Sequence, residues 1–204
     1  IGNGRAASIL LAEAGVRVLV VDRDEELANN TVKMIKDRGG EALGIRGDLT
    51  QSDQCKKVVD FVLKNWGRLD ILDNNIGIDS KLSVVDETEE YWDRVMEVNL
   101  KPMFLMSKYA IPAMINSGDG GSIVNISSIS ATRPKGLTVY SASKGAVLSL
   151  SQAMAVDHGG DGIRVNCILP GPVYTPMVYS SGMTEDRRSI RQNASLIQVE
   201  GDGW

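Results

Sequence analysis

A phenol and an ammonium stand one helical turn apart in Tyr140-Ser-Ala-Ser-Lys144. On a helix, positions i and i+4 share a face, with Cβ atoms ~5–6 Å apart. A free tyrosine titrates near ~10, and it trades protons at neutral pH only if that value falls toward ~7, a change of ~4 kcal/mol. One positive charge at ~5 Å, in surroundings of effective dielectric ~20, supplies ~3.3 kcal/mol. Lys144 is therefore expected to provide much of the shift, with a second nearby cation supplying the rest. Taken alone, the pair fits an ordinary helix-face contact as well. Twelve residues upstream, an apolar run over 122–127 leads into Ser128. The carboxyl ends of parallel strands open onto the ligand crevice, so Ser128 would face the start of the tyrosine helix. A hydroxyl there can donate to a substrate oxygen and accept from the phenol. Ser127, Ser128 and Ser130 crowd together, and a turn or capping role for Ser128 fits the same residues. Asn99 precedes Pro102, which has no N–H to give the carbonyl of Val98. A kink is expected there, freeing backbone oxygens for a water.

The elements that must carry these groups are legible from apolar spacing. Short Val- and Ile-rich runs predict strands at 17–22, 42–46, 69–74, 122–127 and 163–169. Between them, helical spacing is read at 4–14, 25–38, 53–66, 88–116 and 140–159. Leu27, Val32, Met34 and Ile35 are read as facing inward. Ser52 or Asp53 is expected to cap the third helix, Gly67 to end it, and Thr88 to cap the fourth. Regular strand–helix alternation predicts an α/β fold with a doubly wound parallel sheet and right-handed crossovers. No repeat or linker divides 1–204, so a single domain is expected. The sequence opens on a helix with no strand ahead of it and closes on a turn-rich tail. The expectation is a piece incomplete at both ends. A missing central strand would leave its neighbours without a ladder partner, and such a piece is expected to be unstable alone.

Composition narrows the function. The 204 residues are 43% hydrophobic and 24% charged, which suits a globular chain rather than a disordered one. A net charge of −4 argues against a nucleic-acid partner. No apolar run approaches the ~18 residues of a membrane span, so no membrane partner is expected. One histidine, His158, and two cysteines, Cys55 and Cys167, exclude His/Cys zinc clusters and a disulfide framework, and no metal site is expected. The same cysteine usage suits a cytoplasmic protein.

The chain resembles the short-chain dehydrogenase/reductase family over essentially its whole length. The matching residues are Ile1-Gly2, Asp22, Asp48-Leu49, Asn74-Asn75-Ile76-Gly77, Asn99, Ile123-Val-Asn-Ile-Ser-Ser128, Tyr140-x-x-x-Lys144 and Pro170-Gly-Pro-Val-Tyr-Thr175, in the family's order and spacing. The resemblance implies a Rossmann-like fold and hydride transfer between a nicotinamide cofactor and a secondary alcohol or ketone. It implies Tyr140 as general acid/base, with Lys144 lowering its pKa and holding the nicotinamide ribose. Ser128 would bind the substrate oxygen, and Asn99 would hold a water in the proton relay. It further implies Asp48 and Leu49 at the adenine edge, Asn75, Ile76 and Gly77 beside the adenosine ribose, and Val173 and Thr175 at the nicotinamide carboxamide, after the turn at Pro170 and Gly171. A homo-oligomer, dimer or tetramer, built partly on the helices at 88–116 and 140–159, is also implied. Ile76 departs from the family's usual alanine and Asp73 from its usual apolar residue. The first glycines of the phosphate turn would lie ahead of Ile1.

Cofactor binding follows the same resemblance: a helix N-terminus at residues 2–4 suits a pyrophosphate through free N–H groups and the helix dipole. Asp22, closing the next strand, can bond both ribose hydroxyls and repels a 2′-phosphate. NAD is therefore expected over NADP, with Arg23 next door able to tolerate a phosphate. Asp24 competes with Asp22 as a helix cap. A Ser-His-Asp hydrolase lacks its G-x-S-x-G turn here, and His158 lies in a helix tail. A methyltransferase would share the glycine turn but has no use for Tyr140, Lys144 and Ser128. An epimerase or dehydratase shares those three. The serious alternative is a catalytically silent cofactor-binding or scaffolding protein of the same fold. The segment 176–204, with Arg187, Arg188 and Arg191 in a predicted exposed helix, would shape the substrate site without naming a ligand.

Overall fold

Short β-branched runs make the strands, and each helix between them buries one stripe. The computed structural model describes residues 1–134, 136–180 and 182–204. They form two compact units, one of 1–46 with 170–204, the other of 47–169.

The first unit holds α1 (Asn3–Glu13), β1 (Val18–Asp22), α2 (Glu25–Asp37) and β2 (Ala42–Arg46). β1 and β2 pair in parallel, with Asp22 opposite Arg46. Ile9, Ala12, Val32, Ile35 and Ala42 make its core. Leu27 and Met34, expected inside, are instead exposed at 45% and 37%. The stripe that faces inward runs through Ala28, Thr31, Val32 and Ile35. Thr31 can take that place because its hydroxyl donates to the Leu27 carbonyl at 3.1 Å and accepts from Arg5 Nε at 3.0 Å. Gly40 lets the chain cross the helices closely: a Cβ there would lie 2.8 Å from an Ile35 methyl and 2.9 Å from Ala12 Cβ.

The second unit holds α3 (Ser52–Trp66), β3 (Ile71–Asn74), α4 (Glu89–Asn99), α5 (Lys101–Asn116), β4 (Gly121–Ile126), α6 (Thr138–His158) and β5 (Ile163–Ile168). Its sheet is parallel, in the order β3-β4-β5. Gln51, not Ser52 or Asp53, occupies the cap position of α3, without a side-chain bond, and left-handed Gly67 ends the helix. The stretch read as one helix over 88–116 is two. Leu100 leaves helical geometry at φ −116°, two residues before buried Pro102, which removes the bond to Val98. Met103, Met106, Met114 and Met154 fill the core around these helices. At the start of β4, Gly120 has φ +72°, and a Cβ would meet the Gly162 carbonyl oxygen at 2.3 Å, so only glycine fits.

In the first unit the chain after Pro170 adds α7 (Pro176–Tyr179) and α8 (Glu185–Asn193), the latter carrying Arg187, Arg188 and Arg191. Alternating strands and helices with all-parallel pairing make this a Rossmann-like α/β fold. No helix among the described residues is long and apolar enough to cross a membrane.

Candidate active site

Three polar side chains cross the second unit's sheet and reach α6. Asn74 on β3 donates to Asn125 on β4 at 2.8 Å, Asn125 donates to Ser151 at 2.9 Å, and Ser151 donates to the Val147 carbonyl at 2.7 Å. All three side chains are buried and hydrogen-bonded, so the ladder ties the middle of α6 to the strands. Closer to the end of β4 a reciprocal clamp repeats the connection. Ser127 Oγ donates to the Lys144 carbonyl at 2.7 Å, and Lys144 Nζ donates to the Ile126 carbonyl at 2.8 Å. Register therefore separates the three crowded serines: Ser127 anchors α6 and Ser128 begins the turn beyond it.

Ser128 lies in extended backbone ahead of a short 3-10 turn, and its oxygen accepts from the Ser130 amide at 3.2 Å. Its side chain lies near enough to Tyr140 to lower the phenol, in keeping with the spacing. The electrostatics differ from expectation. Burial raises the Tyr140 phenol above its ordinary value, the Ser128 hydroxyl offsets part of this, and the Asp79 carboxylate adds to it. Lys144 does not pull the phenol down. Its ammonium gives one hydrogen bond to the Ile126 carbonyl and lies 5.9 Å from the centroid of the phenol ring. Burial lowers Lys144 itself to about 8. The simple Coulomb argument counted the attraction between two charges and left out the cost of desolvating both.

Asn99 ends α4 where the helix breaks and is wholly buried. Its Oδ1 accepts from the Ile78 amide at 2.8 Å, and its Nδ2 donates to the Ile78 carbonyl at 3.0 Å and to Ser143 Oγ at 2.9 Å. The side chain thus pins the loop after Asn75, Ile76 and Gly77. Gly77 leaves room for the ammonium: a Cβ there would stand 3.2 Å from Lys144 Nζ and 3.4 Å from Asn99 Oδ1. Asn75 Nδ2 reaches Asp73 Oδ2 at 3.4 Å. Asp48 closes its own turn by accepting from the Thr50 amide at 3.0 Å and hydroxyl at 2.8 Å, beside buried Leu49.

In the first unit, α1 begins at Gly2 with no side-chain cap and open space where a Cβ would stand, next to Ile1. That leaves its first amides without a side-chain cap, as an anion site requires. Asp24 takes the capping of α2, accepting from the Glu26 amide at 2.9 Å and the Leu27 amide at 3.3 Å. Asp22 keeps a different place, with one oxygen accepting from the Asp24 amide at 3.0 Å. Arg46 lies nearby, its Nε on the Arg23 carbonyl at 3.1 Å. Pro170 and Gly171 lead out of β5 into a stretch where Val173 bridges Gly201, and buried Thr175 opens α7. Within the first unit, an uncapped helix start and a carboxylate at a strand end are chemically suited to a pyrophosphate and a ribose.

Sequence reasoning missed Ser143, Ser127, Asn125 and Ser151. For Ser143 and Ser151 the signal was two serines eight residues apart on one face of a helix whose apolar content drew attention elsewhere. His158 lies in the tail of α6, 3.1 Å from Asp161.

A family model described as short chain dehydrogenase matches residues 1–186. An uncharacterised oxidoreductase of Thermotoga maritima is 42% identical over 174 residues, 83% of this chain and 67% of that protein. A cyclopentanol dehydrogenase of Comamonas testosteroni is 39% identical over 177 residues, 86% of this chain and 70% of its own length. The crystal structure of a short-chain type dehydrogenase/reductase from Mycobacterium marinum superposes with a TM-score of 0.93 at 32% identity, over 99% of this chain and 80% of that one. The family works with NAD or NADP. On these grounds the chain belongs to the short-chain dehydrogenase/reductase family of oxidoreductases.

Proposed function

We propose that this enzyme moves a hydride between NAD and a secondary alcohol or its ketone, using Asn99, Ser128, Tyr140 and Lys144, with residues 1–204 serving one dinucleotide-binding oxidoreductase domain. The observation that carries the reading is the Lys144 ammonium, buried one turn along α6 from Tyr140 and 5.9 Å from its ring centroid, with Gly77 leaving it room. The nicotinamide, when bound, supplies the hydride donor or acceptor. The chain's own groups handle the proton and the geometry. Ser128 and Tyr140 would hold the substrate oxygen between two hydroxyls. In the reducing direction the phenol, kept protonated by its burial, gives its proton to the carbonyl oxygen. In the oxidising direction the phenolate takes the alcohol proton, and Ser128 steadies the negative charge. Asn99 would hold the relay in place through the Ile78 loop, and Lys144 would bind ribose hydroxyls.

Gly2, next to Ile1, would face the pyrophosphate, Asp22 the adenosine ribose, Asp48 and Leu49 the adenine, Asn75, Ile76 and Gly77 the loop side, and Pro170, Gly171, Val173 and Thr175 the nicotinamide side. Asp22 supports NAD over NADP, since a carboxylate repels a 2′-phosphate. Two free thiols, Cys55 and Cys167, fit a reducing cytoplasm. A homodimer or homotetramer is part of the same reading. The likeness to a cyclopentanol dehydrogenase makes small cyclic alcohols the first probes. The test is oxidation of cyclopentanol and a panel of secondary alcohols by the full-length protein with NAD or NADP. Tyr140→Phe is expected to lower kcat by ~10³-fold or more with little change in folding. A Tyr140→Phe protein of unchanged activity would leave only the silent, cofactor-binding alternative or a different acid.

A further inference from the structure

Ser143 sits inside the Tyr140–Lys144 turn and is wholly buried, yet nothing in the proposed proton chemistry uses it. Its hydroxyl donates to the Tyr140 carbonyl at 2.7 Å and accepts from Asn99 Nδ2 at 2.9 Å. Asn99 spends its remaining donor and its acceptor on the backbone of Ile78. Both N–H hydrogens of the amide are therefore engaged, and so is the serine proton. We infer that Ser143 is a positioning residue for Tyr140, joining the first turn of α6 to the Asn99 side chain and through it to the loop at Ile78. The inference rests on the catalytic reading of Tyr140 given above.

The geometry gives three reasons. The link attaches at the carbonyl of the very residue whose hydroxyl must meet Ser128. It crosses from α6 to α4 at the point where α4 ends, so a helix break and a helix start are held by one hydrogen-bond chain. Moreover, both Asn99 N–H hydrogens and the Ser143 proton are engaged within this set, so removing the serine oxygen leaves a buried N–H without its partner. The charged groups facing the phenol are Asp79 from the loop and Lys144 from α6 itself, and neither makes this link.

The same helix supplies a matched control. Ser151 also accepts from a buried asparagine Nδ2 at 2.9 Å and donates to a backbone carbonyl at 2.7 Å, but at Asn125 and Val147, two turns beyond Lys144. Ser143→Ala and Ser151→Ala therefore delete the same kinds of bond. In the full-length protein both are expected to lower Tm by similar amounts. Only Ser143→Ala should reduce kcat for cyclopentanol with NAD, by about tenfold with KM for NAD within about twofold, because misplaced reacting groups cost rate rather than binding. It should also shift the pH profile of kcat and speed hydrogen exchange at the Ile78 amide, and Ser143→Thr should restore part of both. If Ser143→Ala matches Ser151→Ala in kcat, pH profile and Ile78 exchange, the inference is overturned. Should Ser143→Ala not fold, Ser143→Cys is read the same way, and wild-type kcat and Ile78 exchange in that variant would also overturn it. Should cyclopentanol not turn over, unchanged Ile78 exchange in Ser143→Ala is enough to reject the link. Failure of the catalytic reading is seen separately, as activity that survives Tyr140→Phe.

Discussion

Asp22 and Lys144 show how one buried or half-buried charge sets a measurable property. At the end of β1, Asp22 has one oxygen tied to the Asp24 amide, while Arg23 and Arg46 stand close by. Removing the carboxylate leaves a basic neighbourhood that favours a 2′-phosphate. Asp22→Ser is therefore expected to lower kcat/KM with NAD by ~10-fold or more and to raise the NADP-to-NAD ratio, read from paired steady-state assays. An unchanged ratio would remove Asp22 from the cofactor reading. Lys144 makes a case about pH. Its folded value of about 8 lies below its ordinary 10.5. The unfolded chain binds that proton more tightly, so stability rises with pH between about 8 and 10.5. Below this window the charged form held in the fold costs on the order of 3 kcal/mol. Lys144→Met is expected to be more stable than the parent at pH 7, by that amount less the lost hydrogen bond to Ile126, and to lose the advantage near pH 10.5. Activity should be lost at both pH values. Urea denaturation at pH 7 and pH 10 checks it, and a variant less stable at pH 7 would mean that burial does not penalise the ammonium. The spacing of Tyr140 and Lys144 was plain in the sequence, whereas this balance was not, because spacing carries no information on how much water reaches a side chain.

At the scale of elements, β3 carries the clearest cost. Asp73 lies between the buried ladder residue Asn74 and the rest of the strand, and its Oδ1 is buried without a partner among the described residues. Burial raises its carboxyl, and only the weak bond from Asn75 opposes this. A folded value above the unfolded one means that stability falls as pH rises through it and is recovered in acid. Asp73→Asn keeps the shape without the charge and is expected to stabilise the protein by ~1 kcal/mol at pH 7, with the difference gone by about pH 4. Thermal unfolding at both pH values is the check, and a variant less stable at pH 7 would argue that the carboxylate has a partner it needs. Elements were largely legible because periodicity reports which faces are apolar. The α4–α5 break was foreshadowed by Pro102, and the position of β2 was read residue for residue. Leu27 and Met34 were misplaced because apolar residues outnumber inward positions on α2, and Thr31 with its two hydrogen bonds took one of those positions instead. Asn74, Asn125 and Ser151 went unread because a polar ladder is defined by partners far apart in the chain.

For the whole molecule, the strand pairing sets an order of local stability. β4 is paired on both sides, by β3 and by β5, and is further tied to α6 by Asn125 and Ser127. β1 pairs with β2 in the first unit. What supports β1 and β2 is the apolar contact of α1 and α2 through Ile9, Val32 and Ile35. That contact is non-directional, while the β4 contacts combine apolar burial with closed hydrogen bonds, and opening β4 must break both. Native-state hydrogen exchange is therefore expected to be slowest for the amides of 123–126 and at least about tenfold faster for β1, a gap of ~1.4 kcal/mol in opening free energy. Lowering the stability of the second unit alone, with Ser151→Ala, should narrow that gap from the β4 side and leave β1 unchanged. If β1 and β4 instead exchange at one common rate that rises together in Ser151→Ala, the two units open as a single cooperative body, and the ladder through Asn125 stabilises the whole chain rather than its own sheet.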